Sequence, residues 1–222
     1  MKSSSRRDMQ APNLPRELHI EAPAAIEDRA DYSMSSWTGL HLENQNADRV
    51  SLEQVLLRRV VLSQSRLPHV RLTDVRLEAV DLSGVAMEGG RLRRIELVAS
   101  RLVGIQLMEA YLEDVLFRDG NCNSAIFTSA VFKPVRFENC NLSRASFEGA
   151  DLAGVVFDRC DLTSADFRGA KLEGTDFCGS VISGIQVGAA ELHGALIEAA
   201  QAIQIVGLLG LHVKEMDEGP DL

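Results

Sequence analysis

The chain has 222 residues, of which 45% are hydrophobic and 25% charged, and its formal net charge is −9. A chain of this length can bury a substantial core, and its acidic balance disfavours direct binding to nucleic acid or to an anionic membrane. No apolar stretch follows the basic start at Lys2–Arg7, so a secretory signal is not predicted. Four cysteines in so long a chain do not suggest a disulfide framework. We expect a cytoplasmic protein with free thiols.

The N-terminal region, residues 1–36, lacks the regular period that follows it and contains Pro12, Pro15 and Pro23. Its scattered apolar side chains, together with Trp37, predict a segment that is disordered at its start and then covers the open end of the next region.

A period of five residues begins at about residue 37 and ends at residue 197. From Leu42 to Ile197 every fifth residue is apolar, at 32 positions without an exception, and all eight Phe residues belong to this series. The position two residues earlier is almost always small, mostly Val in the first half and Ala in the second. This exchange of volume between two positions indicates that both face one densely packed interior.

A period of five matches neither the 3.6-residue period of a helix nor the 2.0-residue period of a strand. It requires a chain that turns by about 90° every five residues, with two side chains inward and three outward. Four such sides make one coil, and successive coils pair as strands about 4.8 Å apart. The sequence therefore predicts an all-β solenoid, a quadrilateral β-helix of about eight coils over residues 37–197.

Several five-residue stretches resemble the A(D/N)LxG unit of the pentapeptide-repeat family, among them Ala150–Gly154, Ala165–Gly169 and Ala170–Gly174. The resemblance covers about residues 40–197. It implies a right-handed β-helix. It also implies one possible activity, because some family members bind type II topoisomerases such as DNA gyrase, protect them from quinolones and are thought to mimic duplex DNA.

The region after the repeats, residues 198–213, predicts a helix that ends at Gly210 and a short final strand; residues 214–222 form an acidic tail. The helix is apolar on nearly all sides, so it either caps the last coil or forms the seam of a homodimer. The protein is then a monomer or a C-terminal homodimer. The candidate residues of this cap or dimer helix are Ala202, Ile203, Ile205, Val206 and Leu209.

Arginines dominate the front half of the solenoid. We define the basic patch as Arg71, Arg91, Arg93 and Arg94, which the period places on one side of neighbouring coils. Because Asp74, Glu113 and Asp114 fall on that same side, two interpretations stay open. The arginines pair internally, or they bind a phosphate or an acidic protein partner.

The rear half is acidic, with seven basic and fourteen acidic residues between positions 106 and 200, a net charge of −7. Duplex DNA would carry about 13 phosphates over the same length of about 23 Å, so this half reaches about half the charge of DNA. The candidate DNA-mimic surface consists of Glu109, Glu113, Asp114, Asp119, Glu148, Asp151, Asp161, Asp166 and Asp176.

The sequence shows no phosphate-binding loop, no metal-ligand cluster and no nucleophile–base pair, and its five histidines are widely scattered. We expect no enzyme activity, no metal and no cofactor. Two functional hypotheses remain. In the first, the outer faces form a scaffold that binds another protein. In the second, the acidic half modulates DNA gyrase or topoisomerase as a DNA mimic and protects it from poisons.

Overall fold

The computed structural model describes residues 8–20, 23–208 and 210–211. Its elements are β1 (Asp31–Ser33), β2 (Ser36–Thr38), β3 (Ser51–Glu53), β4 (Leu56–Arg58), β5 (Arg71–Glu78), β6 (Arg91–Val98), β7 (Tyr111–Arg118), β8 (Val131–Glu138), β9 (Val156–Asp158) and the helix α1 (Ala199–Leu208).

All strand pairs are parallel and join residues that are twenty positions apart. The main ladder runs β1-β3-β5-β6-β7-β8-β9, and β2 pairs with β4, which pairs with β5. Isolated bridges repeat the same step on the other sides, as between His41 and Val61 or between Asn46 and Arg66. The chain is therefore a parallel β-solenoid with a C-terminal helix, which confirms the predicted fold class.

The number of turns differs from the prediction. The ladder spans about six turns, whereas the period predicted about eight coils. The ladder stops at β9 because the chain beyond it pairs only through single bridges, such as Asp161 with Val181 and Asp176 with Leu196. These bridges keep the twenty-residue step without forming strands.

The core is a single column of inward side chains. Every position of the five-residue series from Leu42 to Ile182 is buried. Phe127, Phe147 and Phe167 stack at centroid distances of 5.0 and 5.1 Å, with ring planes within 6° of each other. A second stack follows the opposite side, ten residues away in each coil, through Phe117, Phe137, Phe157 and Phe177. The aromatic rings thus continue from coil to coil through the rear half.

The corners between sides depend on left-handed backbone conformations. Gly149 has a φ of 66°, but many corners hold other residues, such as Arg94 at 53° and Asp114 at 56°. Glycine adopts this region freely, whereas an ordinary L-residue there costs about 1–2 kcal/mol. The paired coils hold these residues in the turn that the square cross-section needs.

The two ends of the solenoid are closed differently. At the front, Ile26 and Trp37 are 6% and 1% exposed and belong to the core, while residues 8–20, which we call the strap, pass along the outside. At the rear, α1 ends in a Schellman motif, in which the Leu211 N–H donates to the Val206 carbonyl and the Gly210 N–H donates to that of Gly207.

Several predictions fall on residues outside the described ranges: Leu209, the final strand beyond Leu211 and the acidic tail at 214–222. Among the described residues, no helix is both long enough and apolar enough to cross a membrane.

Candidate functional site

The basic patch divides into two parts, and the exposed part is a ladder across three strands. Arg71 of β5 pairs in register with Arg91 of β6, and Arg91 with Tyr111 of β7. Both arginines are exposed, and Tyr111 is 40% exposed. Within the described ranges, the side chains of Arg71 and Arg91 form no ion pair. We call these three residues the Arg–Arg–Tyr ladder.

The other two arginines of the patch pair with acids of the same chain. Arg93 Nε lies 3.6 Å from Glu113 Oε2. Arg94 Nε and Nη2 donate to the two carboxylate oxygens of Asp74 at 2.6 and 2.5 Å. Burial alone would raise the pKa of Asp74, but hydrogen bonds from Arg94 and from the Asn13 N–H outweigh it and lower the pKa. Arg94 is therefore held in place by Asp74.

The adjacent side of the solenoid is neutralised by ion-pair networks. Arg58 Nε donates to Glu78 Oε2 at 2.7 Å, and Arg76 Nε forms an ion pair with Glu78 Oε1 at 2.7 Å. The same arrangement recurs three coils further on, where Arg118 donates to Glu138 at 2.7 Å. Among the described residues, Arg71 and Arg91 thus differ from the arginines of this adjacent side, which form ion pairs.

Four of the nine candidate DNA-mimic acids accept hydrogen bonds from backbone N–H groups. The Oδ1 atoms of Asp151, Asp161, Asp166 and Asp176 each accept the backbone N–H two residues further on, at 2.9–3.2 Å. Asn141 does the same. This Asx turn stabilises the side of the coil locally. The second residue of the A(D/N)LxG unit is thus a structural acceptor, a role that the motif itself could have indicated.

The same four aspartates do not share a face. Because consecutive fives occupy consecutive sides, Asp151, Asp161, Asp166 and Asp176 lie one on each of the four sides, in four different columns of bridges. Two of them are also paired with cations. Lys133 Nζ lies 3.0 Å from the Asp151 carboxylate, and Arg168 Nη2 lies 2.6 Å from that of Asp166.

The five remaining acids are equally dispersed. Glu113 faces Arg93, and Asp114 is 1% exposed. Asp119 accepts a hydrogen bond from Asn139 at 2.7 Å. Glu109 lies on a corner, and Glu148 directly precedes Gly149, the residue two coils further along that corner. Of these five acids, Glu109, Asp119 and Glu148 are exposed, and only Glu109 and Glu148 lie beside the same corner.

The helix α1 contacts the last coils through one face. Gln201 and Ile205, four positions apart, are 3% and 7% exposed. Ala202 and Val206 are half-buried. Ile203, in contrast, is 61% exposed. One face of α1 thus covers the core, and the dimer seam stays a prediction for the opposite face.

Gln201 is a functional residue of this cap that the sequence did not indicate. Its Nε2 donates to the carbonyl oxygens of Phe177 and Ser180, both at 2.7 Å, and its Oε1 accepts from the Glu198 N–H at 3.0 Å. Both carbonyls belong to the end of the solenoid. Among the described residues, the Ser180 carbonyl has no other donor, whereas the Phe177 carbonyl also accepts from the Ser180 N–H at 3.1 Å.

Replacing Gln201 with alanine should lower the free energy of unfolding by about 1–3 kcal/mol, because the Ser180 carbonyl loses its donor and the Phe177 carbonyl loses one of two. Thermal or urea unfolding measures the loss. Gln204, exposed on the same helix, supplies the control: Gln204→Ala should change stability by less than about 0.5 kcal/mol. Equal losses from both variants would show that the carbonyl contacts do not hold the cap.

The cysteines are free, with Cys122, Cys140 and Cys160 buried and Cys178 exposed. In the part of the chain that the structure describes, no group of three or more His, Cys, Asp or Glu side chains is placed to hold a metal ion.

Two family models match the chain. One, described as pentapeptide repeats in eight copies, matches residues 140–179, and the other, described as a pentapeptide repeat region, matches residues 70–147. No curated protein matches.

Solved structures resemble the chain at low identity. HetL, a pentapeptide repeat protein involved in heterocyst differentiation regulation in the cyanobacterium Nostoc sp. strain PCC 7120, is 20% identical, with 72% of this chain and 87% of HetL covered and a TM-score of 0.45. QnrB1, a plasmid-mediated fluoroquinolone resistance protein, is 18% identical in one structure, with 86% and 100% covered and a TM-score of 0.44. Rfr23 from the cyanobacterium Cyanothece 51142 is 15% identical, with 73% and 91% covered and a TM-score of 0.29.

The family models match repeats whose residues the structure places, one five after another, on successive sides of a parallel solenoid. The chain belongs to the pentapeptide-repeat protein family.

Proposed function

We propose that the protein is a non-enzymatic scaffold that binds an acidic segment of a protein partner through the Arg–Arg–Tyr ladder. The observation that carries the proposal is the exposed, in-register pair of Arg71 and Arg91, without an ion pair among the described residues. Proteins of this family are generally structural or binding proteins rather than enzymes.

The ladder has an electrostatic reason to bind anions. Side chains in register on neighbouring coils start about 4.8 Å apart. Two like charges at that distance repel by about 1 kcal/mol in water and by more as water is excluded. A partner's carboxylate between Arg71 and Arg91 would turn this repulsion into two charge-assisted hydrogen bonds. Tyr111, beside them, adds the aromatic surface that is enriched at interface hot spots.

Charge reversal of the ladder tests the proposal. The double variant Arg71→Glu/Arg91→Glu should lose at least ten-fold of its captured partner in a quantitative pulldown, because both contacts become repulsive. Arg101 lies exposed on another side of the solenoid. Arg101→Glu, a control with the same kind of charge change, should leave the partner bound. An unchanged set of partners for the double variant would reject the ladder as the site.

The alternative function is modulation of DNA gyrase or topoisomerase by DNA mimicry, with protection from quinolone-type poisons. The net charge of −7 over residues 106–200 supports it, and Glu109 and Glu148 are exposed beside the same corner, about two coils apart. The dispersion of the other acids over four sides favours the scaffold instead.

A supercoiling assay with purified gyrase separates the two functions. DNA mimicry predicts inhibition at micromolar protein, or rescue of gyrase from a quinolone, and either effect should weaken in Glu109→Gln/Glu148→Gln. Absence of inhibition and of rescue at every ratio of protein to enzyme would reject this alternative. A cytoplasmic location and the choice between a monomer and a C-terminal homodimer stay predictions.

A further inference from the structure

One corner of the solenoid is covered, unlike its neighbours. The residues stacked at this corner in successive coils include Asp74 and Asp114. They are only 5% and 1% exposed, although corner positions point outward. Arg94, between them, is half-buried. Corner residues of other columns, such as Arg59 and His69, are exposed. The difference shows that another part of the chain lies over this corner.

The covering element is the strap, residues 8–20. The Asn13 N–H donates to Asp74 Oδ1 at 2.8 Å, and the Gln10 N–H donates to Asp114 Oδ1 at 3.2 Å. Gln54, one coil before Asp74, donates from Nε2 to the Asn13 carbonyl at 3.1 Å. The strap therefore runs along the solenoid axis over the coils of this corner, and most of its contacts use its backbone.

The spacing of the two N–H donors in the strap matches the spacing of their two acceptors at the corner. Asp74 and Asp114 are two coils apart, which is about 9.6 Å. Gln10 and Asn13 are three residues apart, which is about 9.3 Å in a polyproline II conformation. Met9, Pro12, Pro15 and Leu18 are half-buried at three-residue intervals, and Leu14 is half-buried between them. The two N–H donors of Gln10 and Asn13 thus lie at a spacing that matches every second coil.

The corner binds main-chain groups of the strap rather than the strap's side chains. The carboxylates of Asp74 and Asp114 accept from main-chain N–H groups, and Arg94 holds the Asp74 carboxylate in place with two hydrogen bonds. Any extended segment with donors at this spacing and an apolar residue at every third position meets the same requirements.

We propose that the corner formed by Gln54, Asp74, Arg94 and Asp114 is a docking groove for an extended, proline-containing peptide segment of a partner protein. The strap is its resident occupant, and a partner's segment binds by displacing it. This groove is a second interaction surface, and it does not depend on the Arg–Arg–Tyr ladder.

The test uses the full chain and a fluorescein-labelled synthetic peptide with the sequence of residues 8–20, followed by fluorescence anisotropy. The wild-type protein should bind the peptide weakly, because a tethered strap competes at an effective concentration of about a millimolar. A full-length variant in which residues 9–16 are replaced by alternating Gly and Ser should bind at least ten-fold more tightly. Adding Asp74→Asn and Asp114→Asn to that variant should remove the gain.

A peptide with N-methyl groups on the Gln10 and Asn13 amides is the matched control, since it keeps every side chain and loses the two donors. It should bind at least ten-fold more weakly than the unmodified peptide. Equal binding of the two peptides would overturn the proposal. So would a Gly–Ser variant that melts like the wild type and yet binds the unmodified peptide no more tightly than the wild type does.

Discussion

Replacing Phe147 with alanine is expected to lower the free energy of unfolding by about 3–5 kcal/mol. The Phe147 ring is fully buried, and it stacks between Phe127 and Phe167 at 5.0 and 5.1 Å. Its removal leaves a cavity in the dense column and ends both stacking contacts, together with the tilted or edge contacts to Phe132, Phe137 and Phe157. Equilibrium urea unfolding measures the change, as a shift of the midpoint at an unchanged slope.

Two further variants serve as controls for Phe147→Ala. Phe147→Leu keeps much of the volume and should cost less than the alanine variant. Tyr111→Ala removes an aromatic ring that is 40% exposed, and it should cost far less than Phe147→Ala. A loss below about 1 kcal/mol for Phe147→Ala would mean that the stacked column contributes little to stability.

The second large effect is expected at the buried ion pair. Arg94→Met should lower the free energy of unfolding by about 2–4 kcal/mol, because Asp74 is then left desolvated without its cation. The side chains of Asp74 and Arg94 are only 6% and 17% exposed. The double variant Asp74→Asn/Arg94→Met removes both charges and should be more stable than Arg94→Met alone. A double variant that loses the sum of the two single effects would contradict this coupling.

The pair also predicts a dependence on pH. The folded state holds the pKa of Asp74 below its usual value, so its contribution is complete above the unfolded pKa of about 3.9. It falls as the pH drops from there through the folded pKa. In Arg94→Met the Asp74 carboxylate has lost this cation, so the acid-side decline attributable to Asp74 should shrink or disappear. Thermal unfolding from pH 5 down to pH 2 measures it in both proteins.

The core could be predicted from the sequence because one physical constraint repeats. Leu42, Phe147 and Ile182 belong to a single series in which each member faces the interior. An apolar period of five residues fits neither a helix nor an ordinary strand. In addition, Leu occurs with a neighbouring Val and Phe with a neighbouring Ala, which shows that the two positions share one limited volume. The turn count was less predictable, since the sequence pattern continues where strands give way to single bridges.

The candidate sites were harder to predict, because a side chain on the surface has several possible partners. Asp161 and Asp166 carry charges that suggested phosphate mimicry, yet each accepts a backbone N–H two residues away. Gln201 interrupted an apolar helix, and only the structure shows the two carbonyls that it serves. The strap left only a weak trace in the sequence, since Met9, Pro12, Pro15 and Leu18 are apolar at three-residue intervals but Leu14 is apolar as well.

The square cross-section has a consequence for how such a chain tolerates changes of length. Deleting five residues removes one side, so the interior stays apolar, but all downstream surface residues rotate by a quarter turn relative to those upstream. Deleting twenty removes one layer and restores the original alignment. A deletion of five between Arg71 and Arg91 would move these two arginines onto different sides, while the fold survives. Gain or loss of single five-residue repeats can therefore change which surface residues share a side, while the interior stays apolar.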